Sequence, residues 1–161
     1  MVRTLGQIVG AQDRADALVD DYNRRLDAAR ACTAAQQYRP RVYFEEWDSP
    51  TFSGIQWVSE LIAVAGGEDI FADRAQGKGA TDRTVQFSEV IARDPELMLA
   101  SWCGKPLDAA SVRARPGWDQ ISAIRNGHLY EIDSAIILQP GPACLTDGLA
   151  ALEARIRPLA E

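Results

Sequence analysis

Few residues in this sequence are equipped for covalent chemistry. There is one histidine, His128, and there are three cysteines, Cys32, Cys103 and Cys144, with no Cys-x-x-Cys spacing. A thiolate nucleophile needs a base within about 3 Å, so Cys103 with His128 is the pair to weigh. Cys103 follows the apolar run Leu97 to Ala100 and lies past the end of a strand, whereas His128 opens the segment "HLYEI". Parallel neighbours would hold these positions at opposite edges of a sheet, so the two are not expected to meet. Cys103 is read as a packed thiol or as half of a disulfide, with Cys144 the candidate partner. Glu45 and Glu46 are adjacent on a strand and point to opposite faces, which rules them out as an acid–base pair. "GGED" and "GKG" lack the strand-to-helix setting of a phosphate loop. The scattered cysteines and single histidine argue against a zinc site. No catalytic constellation emerges, although thiol chemistry at Cys103 in a small α/β enzyme stays as an alternative.

Noncovalent contact is better provided for. Three segments, "WDSPTFSG", "SWCGK" and "DSAIILQPGP", each follow a predicted strand and place large apolar groups in a loop: Trp47 and Phe52, then Trp102, then Ile136 and Ile137. In open α/β sheets, ligands sit beyond the carboxyl ends of the strands. Flat rings on such a rim supply contact area at low entropic cost, and this is the reading of Trp102. Trp57 and Trp118, at helical spacing, are read as core.

The elements that must hold these loops follow from periodicity. Ala15, Leu18, Val19, Tyr22, Leu26 and Ala29 mark one stripe of a helix from Ala11 to about Ala35, roughly 36 Å long at about 1.5 Å per residue. Gly10 separates it from a shorter helical piece, Val2 to Val9. Strands are predicted at Arg41 to Glu46, Glu96 to Ser101 and His128 to Ile132. Helices are predicted at Ile55 to Ala65, ended by Gly66 and Gly67, at Glu89 to Arg93 with Ser88 as cap, near Asp108 to Arg113, and at Ala143 to Leu159. Trp118, Ile121 and Ile124 form a short helical face, and Ile70 and Phe71 are expected to tuck inward from a loop. Alternating strands and helices imply α/β architecture: a small, mainly parallel, Rossmann-like sheet flanked by helices and preceded by a long helix.

Composition narrows the partners. The 161 residues carry a net charge of −6 and a pI near 4.8, which disfavours nucleic acid and anionic membranes. No stretch reaches the roughly 18 apolar residues that span a bilayer, and "MVRTLGQIVG" has neither the basic head nor the apolar core of an export signal.

The segments "RPRVYFEEWDSPTFSGIQWVSELIAVAGGEDIFAD", "EVIARDPELMLASWCGK" and "RPGWDQISAIRNGHLYEIDSAIILQPGP" resemble the C-terminal half of the ABC-transporter periplasmic substrate-binding proteins for cobalamin and iron-siderophores, particularly the cobalamin-binding branch. The resemblance implies two segments: residues 1–38, a helical piece and the spine that joins two lobes, and residues 39–161, a C-terminal α/β ligand-binding lobe. It implies a periplasmic or cell-surface protein that is not an enzyme and consumes no cofactor. Its ligand would be cobalamin, another corrinoid or a similar metal chelate, delivered to an ABC permease. By position, Trp47 and Phe52 match the first ligand-facing loop, Asp82 and Arg83 the second, Trp102 and Cys103 the third, and Ile136 and Gln139 the last. The family's permease-docking carboxylate falls nearest Glu89, although Ser88 aligns best. A full member has another lobe before the spine and an export signal. Neither is in these residues, so the chain is expected to be a truncated member that binds ligand weakly and covers its exposed spine by forming a homodimer. A dimeric interaction module without ligand is the remaining alternative.

Overall fold

The computed structural model describes residues 1–77 and 79–160. Lys78, in the "GKG" triplet, lies outside the described residues. Two helices come first, α1 (Val2–Ile8) and α2 (Gln12–Thr33). Gly10 makes the break between them with a φ of +68°, a region glycine enters without steric cost. They cross closely: a Cβ on Gly6 would stand 2.4 Å from the Ala15 Cβ. Of the predicted α2 stripe only Ala15 and Ala29 are buried, and Leu18 is 41% exposed. The cause is that α2 meets the lobe only through its C-terminal half, where Leu26 and Ala29 join the core, rather than lying along a sheet.

The central strand is β1 (Arg41–Asp48), longer than its prediction. It pairs in parallel with β4 (Leu97–Ala100), which pairs in parallel with β5 (Leu129–Glu131). Two short strands were not foreseen. β2 (Thr51–Ser53) turns "WDSPTFSG" into an antiparallel hairpin with β1, with an irregularity between Glu45 and Trp47. β3 (Glu68–Asp69) adds two parallel residues beside Arg41 and Val42. The strand order is β2-β1-β4-β5, with β3 also on β1.

Alternation along the strands builds two cores. Val42, Phe44, Leu97 and Leu99 pack toward α3 (Gln56–Val64), α8 (Ser134–Ile137) and α9 (Leu149–Ala160). Tyr43, Met98 and Ala100 face the other side, against Phe71, α5 (Phe87–Arg93), α6 (Ala109–Arg113) and α7 (Ser122–Arg125). There Tyr43 meets Phe71 and Trp118 edge-on, with ring centroids 5.6 and 6.3 Å apart. Each such ring removes apolar surface worth about 1.5–3 kcal/mol. A fourth short helix, α4 (Ala72–Ala75), follows Phe71. The result is a mixed α/β layer structure with a mainly parallel sheet between helices.

Local chemistry adjusts several boundaries. Gly66 ends α3 with a φ of +93°. The cap of α5 is Gln86, not Ser88: the Glu89 carboxylate accepts from the Gln86 N–H at 2.9 Å, placing the acid in the positive first turn. The C-terminal helix opens with a π turn, Cys144–Gly148. Gly148 is pressed on the Ile136 carbonyl, where a Cβ would come within 2.4 Å, and Cys144 Sγ reaches the Gln139 carbonyl at 2.8 Å. These contacts widen the turn. The disulfide between Cys103 and Cys144 is not formed: Cys103 is exposed, Cys144 is buried, and both are free thiols.

Candidate ligand-binding rim

Register decides where the loops emerge. Glu45 stands opposite Ala100, and Ala100 opposite Glu131. The chain beyond each therefore leaves the sheet along one edge, and Trp47, Trp102 and Asp133 all follow that line. Lys105 ties two of these loops together. Its ammonium bonds the Asp48 carboxylate and lies 4.9 Å from the centre of the Trp102 ring and 6.0 Å from that of Trp47, within cation–π range for both. Between the β4 and β5 loops lies a hollow of about 350 Å³, walled by Trp102, Lys105, Pro106, Glu131, Asp133 and Ser134.

Trp102 is not the exposed ring that its position suggested. It is 3% exposed, and its Nε1 donates to Glu45 Oε1 at 3.1 Å. Glu45 explains this burial. Its carboxylate, fully buried, also accepts from Tyr43 Oη at 3.1 Å and from Arg115 through two bonds of 2.6 and 2.9 Å. Arg115 in turn lies over Phe87 and Trp118, 4.9 and 4.3 Å from their ring centres. Both oxygens of the acid are satisfied, so the charge pair is closed in low dielectric. Burial, and then the nearby Glu45 charge, push the Tyr43 phenol up, keeping it a hydrogen-bond donor. Trp102 thus forms the floor of the hollow while its indole N–H anchors the loop to the sheet.

The other candidate residues divide. Trp47 and Phe52 are half-buried cross-strand partners on the hairpin, with Trp47 Nε1 donating to the Ser49 carbonyl at 2.9 Å. Cys103, next to Trp102 in sequence, is exposed. Asp82 is exposed, and its carboxylate accepts from the Gly79 N–H at 3.1 Å. Arg83, read as ligand-facing, is instead 4% exposed, paired with Glu46 at 2.5 Å and bonded to the Ser53 carbonyl. Its guanidinium joins the hairpin to the loop before α5, because a lone buried cation would be too costly. Ile136 is half-buried against the core, and Ile137, expected to be exposed, is fully buried. Gln139 is exposed, outside the hollow. Glu89 is bonded by Arg74, which holds its carboxyl below the usual range.

Trp118 is sealed in the core as expected, but Trp57 is only half-buried. It lines a separate apolar groove of about 290 Å³ with Leu26, Leu61, Val64, Cys144 and Leu145. Sequence reasoning missed Lys105, Arg115 and Asp133. The first lies two residues past Cys103 in a loop already singled out, whereas Arg115, 70 residues from its carboxylate, left no local signal. His128 begins at the far end of β5, with Nδ1 3.1 Å from the Glu96 carbonyl, well away from Cys103. Among the described residues, no group of three His, Cys, Asp or Glu side chains converges for a metal.

The fold is thus a mainly parallel sheet whose carboxyl edge carries aromatic loops over internally neutralised charges. The chain belongs to the periplasmic binding protein family, whose profile matches residues 1–136. Proteins of this family bind solutes and are not enzymes. A vitamin B12-binding protein of Vibrio parahaemolyticus is 28% identical over 127 residues, covering 78% of this chain and 43% of that protein; the chain spans less than half the length of this curated relative. A periplasmic solute-binding protein from Staphylococcus epidermidis superposes with a TM-score of 0.79 at 21% identity, covering 96% of this chain and 59% of the other. The haem-complexed IsdE of S. aureus superposes with a TM-score of 0.76 at 16% identity, over 96% and 62%.

Proposed function

We propose that residues 1–38 are the spine segment and residues 39–161 the C-terminal lobe of an ABC importer's substrate-binding protein, taking a corrinoid noncovalently outside the cytoplasmic membrane for delivery to a permease. The observation that carries this reading is the convergence of Trp47, Lys105 and Trp102 at the carboxyl edge of the sheet, beside the hollow reaching Asp133. The corrinoid assignment leans on the vitamin B12-binding relative. Apolar ring edges would lie on the tryptophans, and side-arm amides would bond the polar rim. A hollow of about 350 Å³ covers only one side of so large a ligand, so this chain alone should bind it weakly. Docking on the permease is assigned to the face near Ser88 and Glu89. Since Arg74 already neutralises Glu89, its contribution should be small. The apolar residues left open on α1 and α2, Leu5, Ile8, Val9 and Leu18, are assigned to contact with a further lobe or a second copy.

Isothermal titration with cyanocobalamin tests the reading. Saturable binding that Trp47→Ala weakens severalfold, with circular dichroism showing the fold retained, is expected. Binding that survives Trp47→Ala and Lys105→Ala unchanged would remove the rim from the account.

A further inference from the structure

The charges around the hollow point to more than a place for a flat ligand. Among the described residues, three cations stand at or beneath the rim, and each is already committed. Arg83, buried, is held by Glu46, and Arg115, almost buried, by Glu45. Lys105, half-exposed, is on Asp48. The other charged side chains lining the hollow are Glu131 and Asp133, and both are exposed. Asp133 caps α8 by accepting from the Ala135 N–H at 2.8 Å, which keeps its carboxylate fixed at the wall.

Consider a ligand that brings a carboxylate into this hollow. It meets Glu131 and Asp133 directly. Drawing Lys105 across does not help, because the move strips Asp48 of its partner and leaves that carboxylate uncompensated at the edge of the sheet. A neutral amide arm has no such difficulty: it can donate to Glu131 or Asp133 and accept from the Ser134 hydroxyl. A cationic arm does better still. We infer that this rim is a charge filter: it selects neutral or cationic metal chelates bearing amide arms and rejects chelates of the same shape bearing carboxylates, with Glu131 and Asp133 as the specificity-determining residues. The inference rests on the rim reading given above and deepens it, since flat apolar contact alone would accept an amide-armed corrinoid and a propionate-bearing haem equally.

The size of the effect follows from Coulomb's law. One like charge placed about 6 Å away in a half-solvated hollow corresponds to about a tenfold loss of affinity. Because the rim is open to water, salt should shrink it.

A pair of corrinoids isolates the variable. Dicyanocobinamide and dicyanocobyrinic acid share one macrocycle and differ in the side arms, amides in the first and carboxylates in the second. The two cyanides occupy both axial positions, so that Cys103 cannot contribute by coordination. Each is titrated calorimetrically into the 161-residue chain at low and high salt, and then into Glu131→Gln/Asp133→Asn. Both replacements keep side-chain size, and asparagine retains the helix cap, so thermal unfolding should be unchanged. The filter predicts at least about tenfold tighter binding of cobinamide at low salt, a smaller gap at high salt, and in the double variant a gain for cobyrinic acid with cobinamide altered less than about twofold. Equal or tighter binding of cobyrinic acid by the native chain would overturn the filter and leave the corrinoid function standing. A native preference that the double variant retains in full would overturn the assignment to Glu131 and Asp133. Binding of neither compound would overturn both the filter and the proposed function.

Discussion

Glu45 to glutamine is the smallest change that opens the buried charge network beneath the rim. In the native protein Oε1 accepts from Trp102 and Arg115, and Oε2 accepts from Tyr43 and Arg115. Glutamine keeps one acceptor and turns the other position into an amino group facing two donors. The Tyr43 hydroxyl can rotate to accept, but the guanidinium of Arg115 has no acceptor to offer. Arg115 then lies almost buried, with side-chain exposure of 10%, beside a neutral partner. Breaking a buried pair by removing one charge costs about 3–5 kcal/mol, which for a chain of this size lowers Tm by about 6–20 °C. Urea unfolding followed by tryptophan emission measures it, with a shifted midpoint and an unchanged slope as the signature. The partner control is Arg115→Met: with Glu45→Leu it removes both charges, and the double variant should lose far less than the sum of the single losses. A loss under about 1 kcal/mol for Glu45→Gln, or additivity in the cycle, would refute the claim that this pair is closed and desolvated.

Other expectations are independent of that network. Burial pushes the Asp69 carboxyl up, and one of its oxygens has no partner among the described residues. The folded form therefore holds its proton to higher pH than the unfolded form, and the contribution of this group to stability falls as pH rises from near 4 through the raised folded pKa. Asp69→Asn, which can still accept from the Phe71 N–H, should flatten that part of the pH–stability curve, and an unchanged curve would count against the burial argument. Cys103 is exposed and Cys144 buried, so iodoacetamide under native conditions should label Cys103 and spare Cys144 until urea is added; early labelling of Cys144 would contradict its burial. Sedimentation at rising concentration should show self-association that Leu5→Ser/Ile8→Ser abolishes, since those residues are 54% and 74% exposed, whereas a native monomer at all concentrations would remove the assignment of that surface.

Apolar order carried much of the fold. The runs in β1 and β4 bury residues on both faces, as parallel central strands require, while β5, at the sheet edge, buries only Leu129 of its three residues; the helices between them followed from spacing and glycine stops. What escaped were features set by contact rather than pattern. The hairpin strand β2 is three residues long and contains no strong periodicity, and the π turn at Cys144 depends on how Gly148 meets the Ile136 carbonyl. The shared edge from which the rim loops emerge was legible in outline because strand ends are visible as places where apolar runs stop. Its electrostatics were not, because the partners of Glu45, Glu46 and Asp48 lie 70, 37 and 57 residues away. That is why Trp102 and Arg83, whose residue types suit a contact surface, are held inward instead.

Hydrogen–deuterium exchange with and without cyanocobalamin tests most directly whether the carboxyl edge of the sheet is the contact surface. Slower exchange is predicted in residues 47–53, 101–107 and 131–136 together, with residues 68–76 at the opposite edge unaffected. Protection confined to the apolar groove around Trp57 and Leu145, or absent from all three loops at saturating ligand, would contradict it.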